Sequence, residues 1–82
     1  EDGKPVDLTP IEFRLLHCLM RNAGRTLGHD FLLSHAWGYE YEGYSNQIAV
    51  YIRRLRSKIE HDPALPEYIL TVRGMGYRFE KR

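Results

Sequence analysis

The densest run of charged side chains is Arg53-Arg54-Leu55-Arg56-Ser57-Lys58, which places four cations within six residues. Such side chains bind phosphate oxygens, and arginine also forms paired hydrogen bonds with guanine in the major groove of DNA. A charge run on a helix is usually a solvated face, but neighbouring like charges are destabilising unless a polyanion neutralises them. Only Glu60 follows closely enough to pair with these cations. The run therefore favours a nucleic-acid partner.

A predicted helix positions these cations. It begins with Ser45 as its cap and continues to about Glu60, where the run His61-Asp62-Pro63 ends it. Along this helix, four isoleucine and leucine residues recur at helical spacing and predict a narrow buried seam. They are Ile48, Ile52, Leu55 and Ile59.

The opposite face of this helix is polar and basic with one small apolar residue, as a helix entering the major groove requires. Its members are Asn46, Gln47, Val50, Arg53, Arg54 and Lys58. Arg54 is the candidate base reader, because paired hydrogen bonds from arginine to guanine are the commonest specific contact. Val50 is a candidate for contact with a thymine methyl group.

A β-hairpin is predicted at the end of the chain. Two β-rich runs, residues 68–72 and 77–80, are joined by Arg73-Gly74-Met75-Gly76, whose glycines permit a tight turn with positive φ. A nucleotide-binding glycine loop is rejected, because such a loop opens a helix and this one opens a strand. Arg73 is a candidate for a narrow minor groove, and a plain surface arginine is an equally good interpretation.

The cations of the helix and the hairpin also predict how affinity for DNA depends on salt. Those counted as neutralising phosphate groups are Arg53, Arg56, Lys58 and Arg73. Four released counterions predict a slope of log K against log salt of about −3.6.

A capped helix is predicted near the start of the chain. Thr9 caps it, Pro10 occupies its first position and Glu12 completes a capping box, while Asn22-Ala23-Gly24 ends it. Cys18 is expected to pack within this helix. The predicted core-facing stripe is Phe13, Leu16 and Met20, flanked by Leu15 and Leu19.

Three further elements complete the predicted order of strand, three helices and hairpin. Residues 6–8 read as a short strand and residues 25–27 as an extended link. A second helix runs from about His29 to Trp37 after Gly28, a fair cap. Its expected buried positions are Leu32, Leu33, Ala36 and Trp37. Residues 38–44 are a loop with two glycines and three tyrosines, Tyr39, Tyr41 and Tyr44, a composition that suits a partner.

The composition limits what this chain can be. A length of 82 residues allows one domain, and 43% hydrophobic residues are enough for a packed core. The net charge of +1 hides an asymmetry, since residues 1–44 carry four basic and seven acidic side chains and residues 45–82 carry eight and four. Because local clusters set the field that a polyanion meets, the basic second half again indicates nucleic acid.

Several function classes find no support. The single cysteine, Cys18, excludes an intramolecular disulfide and suits a reducing cytosol, so a cytoplasmic location is expected. No apolar run approaches the roughly 20 residues that span a bilayer. The four histidines lack metal-ligand spacing and no nucleophile sits in a catalytic motif, so we expect no metal, no cofactor, no small-molecule substrate and no enzyme. Because the chain begins with Glu1, it is expected to be a piece of a longer protein.

Five segments together carry a family resemblance: VDLTPIEF at 6–13, LL at 15–16, AWGY at 36–39, VYIRRLRSKI at 50–59 and TVRGMGYRF at 71–79. With them the sequence resembles the C-terminal effector domain of OmpR/PhoB-type response regulators over nearly its whole length. The resemblance implies an α+β winged helix-turn-helix with three helices, a C-terminal hairpin wing and a remnant N-terminal strand. Most of the family's first sheet, and the phosphorylatable receiver domain of full-length relatives, are expected to be missing from this chain.

The resemblance also implies roles for individual residues in binding double-stranded DNA. Base-facing positions are Asn46, Gln47, Val50 and Arg54. Backbone-contacting positions are Tyr51, Arg53, Arg56, Thr71 and Tyr77, to which the charge run adds Lys58. Arg73 matches a minor-groove arginine, and residues 38–44 match a loop that touches RNA polymerase in activators. Relatives bind repeated sites as head-to-tail pairs, but variable positions such as Asn46, Gln47 and Ala49 mean that the operator is not inherited from them.

Two interpretations from different classes therefore stand. The first is a DNA-binding module of a transcription regulator. The second is a winged helix used as a protein-interaction module, which the loop tyrosines and the acidic first half suggest. An RNA reader is less favoured, since the hairpin lacks the stacked aromatic pattern of an RNA-binding sheet. A salt-dependent shift with duplex DNA separates the first two interpretations.

Overall fold

Three helices and a three-stranded antiparallel sheet are found in the computed structural model, which describes residues 7–37 and 46–81. Helix α1 spans Pro10–Arg21, strand β1 spans Thr26–Leu27, and helix α2 spans His29–Leu32 and continues as a π-helical turn over Leu33–Trp37. Helix α3 spans Asn46–Ile59, and strands β2 and β3 span Ile69–Val72 and Gly76–Phe79. This is the predicted winged-helix architecture, and the hairpin of residues 69–79 is called the wing below.

The capping box predicted at the start of α1 is confirmed. The Glu12 backbone N–H donates to Thr9 Oγ1 at 3.3 Å, and the Thr9 N–H donates to Glu12 Oε1 at 2.9 Å. The helix ends at Arg21, where Asn22 is the C-cap and its Nδ2 donates to the Cys18 carbonyl oxygen at 2.8 Å. The sequence therefore predicted both ends of α1 correctly.

The predicted core stripe of α1 is wrong in its phase. Phe13 and Met20 are 59% and 53% exposed, whereas Leu15 and Leu19 are fully buried. The buried face includes Glu12, which the hydrophobic pattern treats as an outward-facing residue. The buried face is therefore displaced by about one residue from the face that the apolar pattern predicted. Cys18 is buried as expected, and Leu16 is half-buried.

The remaining helices supply most of the rest of the core. Leu32, Ala36 and Trp37 are buried as predicted, and Leu33 is partly buried beside them. The seam of α3 is confirmed, with Ile48, Ile52 and Leu55 buried and Ile59 partly buried. Because this seam packs against α1 and the sheet, the face of α3 on the other side is turned outward.

The sheet has the strand order β1-β3-β2, with both pairs antiparallel. Leu27 lies opposite Tyr77, and Val72 lies opposite Gly76 at the wing turn. Residues 26–27, predicted as a link, are therefore an edge strand. The predicted strand at residues 6–8 is wrong for Asp7 and Leu8, which lie in no strand, and Val6 lies outside the described residues. A strand needs a ladder partner, and neither Asp7 nor Leu8 pairs with β1, β2 or β3.

A partly buried ion pair joins α1 to α3. Lys58 Nζ lies 2.5 Å from Glu12 Oε1 and also donates to the Asp7 carbonyl oxygen at 2.7 Å. Glu12 is 1% exposed. Burial raises the pKa of its carboxyl, but hydrogen bonds from Lys58 and the Thr9 backbone outweigh burial and hold the pKa below its ordinary 4.5. Glu12 therefore stays ionised and links the cap of α1 to the last turn of α3.

We expect Glu12→Gln to lower the free energy of unfolding at pH 7 by about 1–2 kcal/mol, since it weakens both the cap and the ion pair. A carboxyl with a lowered folded-state pKa stabilises the fold above its unfolded pKa, and this contribution is lost as the pH falls through the folded value. The difference between wild type and variant should therefore shrink toward pH 3. Urea unfolding at pH 7 and pH 3 measures this difference, and Glu80→Gln, at a half-buried carboxylate, is the control. A difference that is unchanged at pH 3 would exclude this role for Glu12.

Candidate nucleic-acid interface

The outward face of α3 presents the polar and basic side chains that the sequence placed there. Gln47, Arg53 and Arg54 are exposed, and Val50 is 40% exposed between them along the helix. The side chain of Asn46 lies outside the described residues. A rigid, buried seam behind an exposed polar face is the arrangement that a helix needs to enter a groove of about 12 Å width.

Arg54 is held over an aromatic pair. Its guanidinium carbon lies 5.1 Å from the centroid of the Tyr51 ring, and Tyr51 meets the buried Trp37 edge-on at 5.5 Å. A cation over an aromatic face gains about 0.5–1 kcal/mol at an exposed site. The core thus supports Tyr51, and Tyr51 restricts where the Arg54 side chain points. The sequence predicted a role for each residue but not their contact.

Arg56 lies where α3 meets the wing. Its Nε and Nη2 donate to the Ile69 carbonyl oxygen at 3.1 and 2.8 Å, and Nη2 also donates to Thr71 Oγ1 at 2.8 Å. The Tyr77 ring lies 5.9 Å away. Burial lowers the pKa of Arg56, with Tyr77 and Glu60 opposing the shift, but arginine keeps its charge at neutral pH. One cluster therefore contains three of the residues predicted to contact the DNA backbone, namely Arg56, Thr71 and Tyr77.

Lys58 differs from the picture that the sequence suggested. Only Glu60 was expected to pair with the cations of α3, but the anion beside Lys58 is Glu12 of α1. Two of the three ammonium donors are directed at Glu12 and Asp7, although the side chain is still 35% exposed. The charge run of α3 is therefore partly neutralised from within the protein.

The wing tip is a tight, exposed turn. The Met75 N–H donates to the Val72 carbonyl oxygen at 2.9 Å, and Gly74 has a φ of 78°. This is the positive φ that the third position of a type II turn requires. Arg73 is exposed at the tip, and Met75 beside it is 67% exposed, a feature that the sequence pattern did not single out. The tip thus offers one cation and one apolar side chain.

Glu60 is the second buried carboxylate, and the sequence misassigned it as a partner for the arginines. It is 5% exposed. Its oxygens accept hydrogen bonds from the backbone N–H groups of Glu67, Tyr68 and Ile69. No sequence signal marks this role, because an acidic residue at a helix end before a proline loop is ordinarily solvated.

A groove of about 400 Å³ lies between α1 and α2. Two stacked pairs line it, Phe13 with His17 and Phe31 with His35, and Cys18 lies in its wall. Burial raises the pKa of the Cys18 thiol, so little reactive thiolate is present at neutral pH. Residues 7–37 and 46–81 contain no group of three histidine, cysteine or acidic side chains placed to hold a metal ion. No helix within them is long and apolar enough to cross a membrane.

The tyrosine-rich segment lies beyond the part of the chain that the structure describes. This applies to Tyr39, Tyr41 and Tyr44 and to the predicted cap Ser45. The predicted polymerase-contact loop therefore stays a sequence-based prediction.

Known proteins resemble this chain over nearly all of its length. The family described as "Transcriptional regulatory protein, C terminal" matches residues 3–79. The sensory transduction protein RegX3 of Mycolicibacterium smegmatis is 48% identical over 79 residues, covering 96% of this chain and 35% of the relative. The transcriptional regulatory protein KdpE of Mycobacterium tuberculosis is 45% identical over 80 residues, covering 98% and 35%. The chain thus spans about a third of the length of these relatives.

Solved structures give the same result. The response regulator DrrB of Thermotoga maritima, an OmpR/PhoB homologue, superposes with a TM-score of 0.87 at 35% identity, covering 96% of this chain and 36% of that one. The DNA-binding domain of RstA from Klebsiella pneumoniae, solved in complex with the RstA box, superposes with a TM-score of 0.83 at 36% identity, covering 95% and 77%.

Proposed function

The chain belongs to the family of C-terminal domains of transcriptional regulatory proteins of the OmpR/PhoB type, and from this we propose how it binds DNA. The domain serves as the sequence-specific DNA-binding output domain of a two-component response regulator. Helix α3 lies in the major groove of the duplex, and the wing lies at the minor groove. An upstream receiver domain controls it.

One observation carries this proposal: Arg56 ties the groove-facing helix to the wing. Its hydrogen bonds to Ile69 and Thr71 join two elements that must contact the same duplex. A helix and a hairpin held in one orientation can address adjacent grooves without first paying for their mutual ordering. The similar RstA domain was solved in complex with the RstA box, which supports duplex DNA as the partner.

The proposed roles divide the interface into base reading and positioning. Base-reading residues are Asn46, Gln47, Val50 and Arg54. Residues at the DNA backbone are Tyr51, Arg53, Arg56, Thr71 and Tyr77, and Arg73 enters the minor groove. Lys58 keeps only a minor share in binding phosphate, because its ammonium is already paired with Glu12. Its main contribution is to hold α3 against α1.

Selection of bound sites from random duplexes tests this function. We expect one motif of a few base pairs to be enriched, and tandem copies of it to be enriched further, since head-to-tail pairs double the contacts. Enrichment of no motif, together with an affinity that does not change with salt, would favour the protein-interaction module instead.

The tyrosine-rich loop is proposed to contact RNA polymerase. Replacing Tyr41 or Tyr44 with alanine should leave DNA affinity nearly unchanged while lowering activated transcription in a reconstituted assay with the full-length protein. Arg54→Ala is the control, since it should lower both. If the tyrosine variants lose DNA affinity in proportion to transcription, the loop belongs to the DNA surface.

We also propose that the domain acts in the cytoplasm and without catalysis. Its polyanionic partner is chromosomal DNA, and its single thiol needs no oxidising compartment. The two histidines near Cys18 are stacked on phenylalanine rings, and His35 Nδ1 is bonded to the Phe31 carbonyl oxygen at 2.9 Å. A buried thiol beside histidines engaged in this way is not an activated nucleophile.

A further inference from the structure

The strand β2 lies at the edge of the sheet, and its first residue turns both backbone polar groups toward α3. The Ile69 N–H donates to Glu60 Oε2 at 2.8 Å, and the Ile69 carbonyl oxygen accepts from Arg56. Arg56 and Glu60 are four residues apart and therefore lie one turn apart on the same side. Arg56 of α3 and Glu60, which directly follows this helix, thus replace the strand partner that β2 lacks on this edge.

Glu60 also holds the two residues that lead into the wing. Its Oε1 also accepts from the Glu67 N–H at 2.8 Å, and both of its oxygens accept from the Tyr68 N–H, at 3.2 and 3.1 Å. Every hydrogen bond seen at this carboxylate among the described residues has a backbone N–H as its donor. A carboxylate suits this place because it offers acceptors only, whereas an amide would aim a donor at one of these N–H groups.

The opposite end of the same strand leads directly into the wing tip. Arg73 lies four positions after Ile69, and β2 pairs with β3 in fixed register up to Val72 opposite Gly76. Because the paired strands keep this register, a shift of Ile69 relative to α3 moves the whole wing, including its tip. The position of Arg73 relative to the outward face of α3 depends on how Ile69 is anchored.

We propose that Glu60 is a positioning residue that sets the angle of the wing to α3, so that Arg73 reaches the minor groove while α3 occupies the major groove. This inference rests on the proposed function for the role of Arg73. Glu60 itself is buried behind the wing and does not touch DNA.

The proposal makes a prediction opposite in sign to simple electrostatics. Glu60→Gln removes one negative charge and, if charge alone mattered, would strengthen binding to a polyanion. We expect it instead to weaken binding to the selected duplex about fivefold or more, because the contribution of the wing is lost. Glu80→Gln is the matched control. It removes the same charge from a carboxylate that lies 3.9 Å from Arg78 Nε, and its affinity should be equal to wild type or slightly higher.

A double-mutant cycle with Arg73→Ala isolates positioning from general destabilisation. Arg73→Ala should weaken binding about tenfold in the wild-type background and about twofold or less in the Glu60→Gln background. Amide exchange of Tyr68 and Ile69 in the free protein should be faster in Glu60→Gln and unchanged in Glu80→Gln. If Glu60→Gln does not fold, the cycle is run with Glu60→Asp, which keeps the charge but shortens the reach.

The outcomes separate failure of this inference from failure of the proposed function. A wild-type domain that binds no duplex would remove the proposed function. If wild type binds and Arg73→Ala weakens it, equal effects of Arg73→Ala in both backgrounds would overturn the inference. If Arg73→Ala has no effect in wild type, the wing does not reach the groove through Arg73. This result would overturn the inference but would leave the proposed binding by α3 unaffected.

Discussion

Gly76→Ala is expected to lower the free energy of unfolding by more than about 3 kcal/mol, the largest loss of stability that we predict for a single methyl group. A Cβ at this position would lie 1.9 Å from the Leu27 carbonyl oxygen and 2.8 Å from its carbon. The backbone φ of 154° adds conformational strain for any other residue. Leu27 belongs to β1, which pairs with β3. Moving its carbonyl away from the new methyl group would therefore break the hydrogen bonds between these two strands.

Gly74→Ala is the control for this prediction. Gly74 has a positive φ of 78°, but a Cβ there would meet no atom within 4 Å. Its loss is therefore limited to the conformational cost of about 1–2 kcal/mol. Urea unfolding of both variants measures the difference. Equal losses would mean that the close approach of β1 is not the reason why position 76 requires glycine.

Arg54→Ala is expected to weaken binding to the preferred duplex by about 1–3 kcal/mol and to flatten base preference at one position. Arg54 lies on the exposed face of α3 one and two turns after Val50 and Gln47, and the Tyr51 ring restricts its orientation. A guanidinium held in place loses less conformational entropy when it pairs with a base.

Arg53→Ala is the comparison variant for Arg54. Its removal should weaken binding about equally on all duplexes and reduce the dependence on salt, as for a phosphate contact. Competition against duplexes with each base substituted in turn measures both variants. Uniform losses for both arginines on every duplex would show that neither reads a base.

Local chemistry made much of this fold predictable from the sequence. The start of α1 follows from Thr9, Pro10 and Glu12, whose side chains or ring act on backbone groups within one turn. The seam of α3 follows from four apolar residues at helical spacing, and the wing turn follows from two glycines. Each of these signals depends on neighbours in the sequence, so no knowledge of the tertiary structure was needed.

Tertiary partners account for what the sequence did not predict. The face of α1 was misplaced because the pattern treats Glu12 as exposed, whereas it is buried and paired with Lys58 of another helix. Strand β1 is two residues long and is defined by its pairing with β3, so the local pattern indicated only an extended link. Glu60 has a buried structural role that depends on backbone groups of the wing, and the hydrophobic pattern carries no information about such partners.

The neutralisation of Lys58 changes one number that solution experiments can test. Four phosphate-neutralising cations would predict a slope of log K against log salt of about −3.6. With Lys58 paired to Glu12, three remain, namely Arg53, Arg56 and Arg73. The slope for one domain on one site should then be about −2.7.

The measurement that tests the central claim most directly is the affinity of this domain for a single selected duplex at several salt concentrations. Binding through the cations of α3 and the wing predicts a straight line of log K against log salt with a slope of about −2.7, and a shallower line for Arg53→Ala. A slope near zero, or a slope that Arg53→Ala leaves unchanged, would contradict the assignment of this face to DNA.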